Sequence, residues 1–246
     1  MKEKQTIVVK DLGNMPYQAA WDYQTGIHKA LVDNKLAHRG IKSGTYAQLH
    51  QILLVEHPPV YTLGRSGSMD NLLLTEQELQ ERDITFFPIN RGGDITFHGP
   101  GQVVGYPILD LECFFTDVHQ YVRYLEEVII RTLAEYGLVG TRIEGYTGVW
   151  IDNNPHFPST DPDALKKRKI CAIGVHLSRW TTLHGWAFNV NSDLSYFNYI
   201  VPCGIVDEDK TVTSMARELD RKIDMAEVKQ HILRHFGEVF DAVMML

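Results

Sequence analysis

Hydrophobic and polar positions switch period along the chain, and the switches outline its elements. Ile7-Val8-Val9 is a short apolar run that reads as an opening strand. Asn14-Met15-Pro16 has the composition of a helix start, with proline in the first turn. From Tyr17 to Leu36 the pattern is helix-compatible, although polar residues break the apolar face. Gln48 to Val55 reads as a strand, and Thr75 with Glu78 has capping-box spacing for a short helix to Arg82. Ile84 to Ile89 and Val103 to Leu111 read as further strands. Phe115 to Tyr136 carries the clearest helical signal: Val118, Tyr121, Val122, Leu125, Val128, Ile129, Leu133 and Tyr136 share one face at 3.6-residue spacing. Gly137 is its natural C-cap.

Three short strands follow: Thr147 to Ile151, Ile170 to Leu177 and Leu183 to Val190. Between the first two, residues 152–168 are polar, contain three prolines and read as an exposed loop. A helix begins near Thr213, and another at Asp224, with Glu227 at capping-box distance. Its apolar face is Val228, Ile232, Leu233, Phe236, Val239 and Phe240. No internal repeat or low-complexity linker interrupts the chain. The pattern predicts α/β architecture of the α+β type: one domain over residues 1–246, with helices packed on a mixed, mainly antiparallel sheet.

Composition narrows the function classes. A length of 246 residues supports a substantial core, and 44% hydrophobic with 22% charged residues is ordinary for a soluble globular protein. A net charge of −7 argues against nucleic acid as a partner. No apolar run approaches the ~20 residues needed to span a bilayer, and the amino-terminal run is too short for a signal-peptide core. Cys113, Cys171 and Cys203 are an odd count without CxxC spacing, which disfavours a disulfide framework or structural zinc. The expectation is a cytoplasmic, reduced protein with no membrane partner. The histidines offer no HExxH pattern, so no metal site is expected.

Candidate chemistry concentrates in a few places. Residues 91–102 (RGGDITFHGPGQ) hold four glycines, an arginine, a threonine and a histidine between strand-like runs. Neither GxGxxG nor GxxxxGK[ST] is present, so the segment is a binding loop or an ordinary glycine-rich hairpin. Cys203 lies in Val201-Pro202-Cys203-Gly204-Ile205, where proline and glycine imply a turn. A free thiol has pKa ~8.5 and is a few per cent thiolate at neutral pH. An ammonium ~4 Å away contributes up to about 4 kcal/mol at an effective dielectric of ~20, roughly three pK units before desolvation. Once the thiolate is acylated, the same lysine gives up its proton more easily and can serve as a base. Among the candidates, Lys166 and Lys167 read as a solvated basic loop end, whereas Lys169 adjoins the apolar run Ile170 to Val175. His98 is a candidate substrate contact or a structural histidine.

Five ordered motifs carry a more specific signal: HPPVYTLGR (57–65), RGGDITFHGPGQ (91–102), KICAIG (169–174), HGWAFN (184–189) and PCG (202–204). Together they resemble the lipoyl(octanoyl) transferases, octanoyl-acyl-carrier-protein:protein N-octanoyltransferases of lipoate biosynthesis, over roughly Leu54 to Arg217. The resemblance implies the fold of biotin and lipoate protein ligase catalytic domains. It implies an acyltransferase that takes octanoyl from octanoyl-acyl carrier protein onto a cysteine. The acyl group then passes to a specific lysine of lipoyl domains, in 2-oxoacid dehydrogenase complexes and the glycine cleavage H protein. By motif, Cys203 is the nucleophile and Lys169 tunes it and handles protons. Arg91, Gly92, Gly93, Asp94, Ile95, Thr96, Phe97, His98, Ala172, Ile173, Gly174, Gly185, Trp186 and Ala187 line the substrate pocket.

The thioester donor is already activated, so no ATP or other cofactor is implied, and a monomer is expected. Glycine and alanine at three backbone segments are expected to leave room for the saturated chain. Cys171 stands where the family has a small residue and is read as packing, and Trp186 and Phe188 are bulkier than the usual aliphatics. The alternatives are an ATP-dependent lipoate or biotin ligase, an amidotransferase between lipoyl-bearing proteins and a non-catalytic binder. The pairing of Lys169 with Cys203 favours the transferase.

Overall fold

The computed structural model describes residues 4–41, 46–201 and 208–246. In chain order it forms β1 (Thr6–Asn14), α1 (Tyr17–Ala37), β2 (His50–Glu56), β3 (Val60–Leu63), α2 (Glu76–Glu81), β4 (Thr85–Pro88), β5 (Ile95–His98) and β6 (Gln102–Ile108). There follow α3 (Val118–Ala134), β7 (Gly140–Ile143), β8 (Tyr146–Ile151), β9 (Lys167–Ser178), β10 (Thr181–Asn189), β11 (Lys210–Val212), α4 (Met215–Leu219), α5 (Met225–Val239) and β12 (Val243–Met245). Among the described residues the main sheet runs β12-β1-β2-β6-β10-β9-β8-β7, with β11 beside β9. β1 is parallel to β12 and β2, and β11 is parallel to β9; the other pairs are antiparallel. A second sheet, β4-β3-β5, adds three strands.

The central strands are covered on both faces, which explains their near-continuous apolar runs. Along β2, Ile52 and Leu54 join the core under α3 and α5, whereas Leu53 and Val55 pack with Ala20 and Leu31 of α1. β10 divides in the same way, Trp186 and Phe188 to the first core and Ala187 to the second. α3 buries Tyr121, Leu125, Val128, Ile129 and Leu133 completely. Each such side chain contributes roughly 1.5–3 kcal/mol by area. Asp117 caps its start by accepting from the Gln120 N–H. Its end is a Schellman turn: Gly137 has φ +74°, its N–H donates to Ala134, and the Leu138 N–H donates to the Leu133 carbonyl. The Thr75–Glu78 capping box is formed in both directions.

The segment 152–168 is largely the exposed loop expected of it, but two of its residues anchor it to the fold. Its Phe157 is buried, and Arg168 is fully buried within β9. The Arg168 guanidinium donates Nε to Glu218 Oε1 (2.7 Å) and Nη2 to Oε2 (3.2 Å), and lies 4.2 Å from the Phe157 ring. Its Nη1 donates to the carbonyls of Asp163, Ala164 and Lys166. Arg217 binds Asp161 and Asp163 from α4, and Lys166 pairs with Asp163. Of the Lys-Lys-Arg end, Arg168 alone is folded inward: an arginine with all three of its nitrogens engaged is a structural clamp and offers little charge to a partner. No helix among the described residues is long and apolar enough to cross a membrane.

Candidate active site

The glycine-rich stretch turns between β4 and β6 and contributes β5 to the small sheet. Its first turn is gripped from two sides. The N–H groups of Gly64, Arg65 and Ser66 donate to the carbonyls of Asp94, Arg91 and Gly93, and the Gly92 N–H donates to Val175 on β9. Gly93 has φ +88°, which a residue with a side chain adopts only under strain. At Gly174 a Cβ would stand 2.8 Å from the Gly92 carbonyl oxygen, and at Gly185 it would collide with the Gly105 carbonyl of β6. These glycines therefore let backbone pack on backbone. At Gly174 and Gly185 protein atoms already fill the space a side chain would take, whereas at Gly92 a Cβ would meet nothing nearer than the Val175 carbonyl oxygen at 3.6 Å.

A cavity of about 390 Å³ opens beside this clasp, in the size range of small-molecule sites. Arg91 to Thr96 and His98 line it from the glycine-rich stretch, Lys169 and Ala172 to Gly174 from β9, and Gly185 to Ala187 from β10. Phe97 does not line it. Phe97 instead stacks on Tyr196 (4.5 Å) and meets Phe197 edge-on (5.6 Å), in one apolar cluster with Tyr61 and Ile95. Cys203 lies outside the described residues. The sequence reading missed Tyr17, Tyr106, Gln102, Asn189, Tyr146 and Val212, which also line the cavity. Gln102 and Asn189 belong to motifs already singled out, RGGDITFHGPGQ and HGWAFN, whereas Tyr17, Tyr106, Tyr146 and Val212 lie outside every motif.

A directional chain of hydrogen bonds crosses the buried floor. Arg91 Nη2 donates to the Thr62 carbonyl (2.7 Å) and to Thr62 Oγ1 (3.1 Å). Gln102 spends its amide N–H groups on the Phe97 carbonyl and on Asn189 Oδ1, so its Oε1 accepts from His98 Nδ1 at 2.8 Å. His98 thus carries its proton on Nδ1, and Nε2 accepts from the Thr62 hydroxyl at 3.3 Å. Asn189 then donates to the Thr213 carbonyl, and the Thr213 N–H donates to the carbonyl of Lys169. The chain ties the glycine-rich clasp to the strand that carries Lys169.

The imidazoles here are neutral at physiological pH. Burial pushes His98 well below the usual histidine range, with neighbouring His57 adding to the effect. Burial likewise lowers His57 to about 4; its Nδ1 donates to the Met15 carbonyl and its Nε2 accepts from the Tyr106 hydroxyl. His184 is lowered to about 3, by burial first and then by Arg91. Its proton and lone pair are both engaged, so the His98 ring is held in one orientation.

Lys169 projects from β9 at the cavity wall, its Nζ 4.6 Å from the centre of the Trp150 ring. Two residues on, Cys171 is fully buried, its Sγ 3.5 Å from the Ala172 carbonyl. Burial, and then the Glu126 charge, pushes its thiol well above the usual range, so it stays protonated and packs as a small hydrophobe. His231 and His235 stand four apart on α5, but His235 is engaged by Glu135 (2.9 Å) and Glu238 (3.1 Å). No group of three potential ligands able to hold a metal lies among the described residues.

Residues 16–237 match the family described as lipoyl protein ligase A/B catalytic domain. The chain is 52% identical over 240 residues to an octanoyltransferase of Flavobacterium psychrophilum, covering 97% of this chain and 98% of that protein. It is 49% identical over 237 residues to an octanoyltransferase of Cytophaga hutchinsonii, covering 96% and 93%. Among solved structures, P. falciparum LipL1 in complex with lipoate superposes with a TM-score of 0.68 at 12% identity, covering 97% of this chain and 65% of that one. The bi-partite lipoate protein ligase of Thermoplasma acidophilum gives 0.59 at 14% identity, covering 100% and 88%. With a family match over most of the chain and full-length relatives near half-identical, the chain belongs to the lipoyl protein ligase A/B catalytic domain family, among its octanoyltransferases.

Proposed function

We propose that this chain transfers octanoyl from octanoyl-acyl carrier protein to the acceptor lysine of lipoyl domains, through an acyl-thioester on Cys203. The observation that carries the reading is Lys169 on the wall of a cavity bounded by the glycine-rich clasp. A cation so placed suits a nucleophilic thiolate, and octanoyltransferase relatives at 52% and 49% identity supply the reaction class. Cavity residues come from Tyr17 to Val212, which supports reading the chain as one acyltransferase domain.

The proton balance closes over two half-reactions. The Cys203 thiolate attacks the thioester carbonyl, and the tetrahedral oxyanion collapses with loss of the pantetheine thiolate. Lys169 protonates that leaving group and becomes a neutral amine. The acceptor lysine's amine then attacks the Cys203 thioester. Lys169 takes the proton released as the amide forms, and Cys203 leaves as a thiolate paired again with an ammonium. The acceptors are lipoyl domains of 2-oxoacid dehydrogenase complexes and the glycine cleavage H protein, and the site of action is the cytoplasm.

The test is acyl transfer to an apo lipoyl domain, followed by the mass of the domain. Octanoylation is expected with the parent chain, abolished by Cys203→Ala and reduced by at least about 10²-fold in Lys169→Met, in line with loss of a general acid–base group. Full transfer by Cys203→Ala would overturn the reading.

A further inference from the structure

The register of β8 against β9 is offset at one point, and the offset places an indole under the key lysine. Val149 lies opposite Cys171, so an unbroken antiparallel ladder would set Trp150 against Ile170. Instead Trp150 is opposite Lys169 and Ile151 opposite Arg168, which leaves Ile170 as the extra residue of a bulge. Gly148, with φ +117°, adjoins this irregularity. Bulges of this kind re-aim side chains, and they recur next to active sites.

The indole is fixed in that position. Trp150 is fully buried, and the Tyr146 ring meets it edge-on at 5.9 Å with an interplanar angle of 77°. Lys210 in turn sits 4.8 Å over the Tyr146 ring, giving an alternation of two lysines and two rings across β11, β8 and β9. The Trp150 Nε1–H is buried with no hydrogen-bond partner among the described residues. A phenylalanine would fill much of this space without a stranded donor. What tryptophan adds is the strongest π face for a cation.

We infer that Trp150 is a positioning residue for Lys169, its π face holding the ammonium at the cavity wall so that the resting enzyme keeps Cys203 as a thiolate. This rests on the Cys203–Lys169 reading above. A ring quadrupole attracts an ammonium and has little hold on a neutral amine, so Trp150 favours the charged lysine before acylation. Among the described residues, the other charged or titratable groups around it include Tyr146 on β8, Lys210 on β11, Glu126 on α3, which holds the Gly148 amide, and the buried Cys171 thiol on β9.

The test replaces Trp150 alone with tryptophans bearing increasing numbers of ring fluorines, which weaken the quadrupole while nearly keeping the shape. The readout is the pH–rate profile of Cys203 alkylation by iodoacetamide, in the parent and in a Lys169→Met background. The expected result is a graded rise in the thiol's apparent pKa, with alkylation at neutral pH slowing by about tenfold across the series. In Lys169→Met the series should be flat. A flat series in the parent, while Lys169→Met raises the thiol pKa, overturns the role of Trp150 and leaves the dyad standing. A Lys169→Met profile identical to the parent's overturns the dyad, and Trp150's role with it.

Discussion

Gly174 of β9 meets Gly92 of the glycine-rich stretch backbone to backbone: a methyl group on Gly174 would stand 2.8 Å from the Gly92 carbonyl oxygen and 3.0 Å from Arg91 Cδ. The neighbouring Gly92 N–H bonds to the Val175 carbonyl, so the contact cannot open without losing a backbone hydrogen bond. Gly174→Ala is therefore expected to cost about 1–3 kcal/mol, the usual range for overpacking a tight site. It should also slow octanoyl transfer, because the clasp carries Arg91 and lines the cavity. Urea unfolding and a transfer assay check both; an unchanged midpoint would show that the clasp yields freely.

Phe97 separates structure from substrate contact. It packs on Tyr196 and Phe197, away from the cavity, so Phe97→Leu should lower stability by about 1–2 kcal/mol while leaving the KM for the acyl donor unchanged. A large KM effect in a stable variant would return Phe97 to the pocket.

Arg168 and Glu218 form a fully buried, two-point ion pair, and Glu218 also accepts from Thr213 Oγ1 at 2.7 Å. Removing one partner strands the other charge, so Glu218→Ala is expected to destabilise the fold by about 3–5 kcal/mol. Replacing both residues with apolar ones of similar volume should lose far less. A double variant as unstable as Glu218→Ala would contradict this assignment.

Much of this fold is legible in the sequence, for identifiable reasons. The helical stripe of α3, the capping signals at Thr75, Asp224 and Gly137, and the apolar runs of β2, β6, β9 and β10 all depend on local periodicity, which the structure preserves. The three-residue strands β11 and β12 depend on distant partners and leave no periodic trace. Arg168 reads as solvated beside two lysines, because its partner Glu218 is fifty residues away. Within the site, most of the described motif residues, Phe97 excepted, line one cavity, but the neutral histidine floor depends on Thr62, Tyr106 and Asn189 from separate strands. At Gly174 and Gly185 glycine composition suggests open space, where the structure has close backbone contact.

Histidines held neutral by burial set an acid limit. His50 and His57 are each lowered to about 4 from an unfolded value near ~6.5, so below that unfolded value the unfolded chain binds more protons than the folded one. Their contribution is fully present above pH ~6.5 and is lost as pH falls toward about 4, with a slope of up to ~1.4 kcal/mol per pH unit for each. Urea midpoints should fall across that window. In His50→Gln, far from the cavity, the fall should be shallower; an identical slope would remove His50 from the account.

The most direct measurement is the intact mass of the protein after incubation with octanoyl-acyl carrier protein in the absence of ATP. The account predicts one octanoyl adduct, abolished by Cys203→Ala and retained by Cys171→Ala, whose thiol is buried and held protonated. An adduct that persists in Cys203→Ala, or one that forms only when ATP is added, would contradict it.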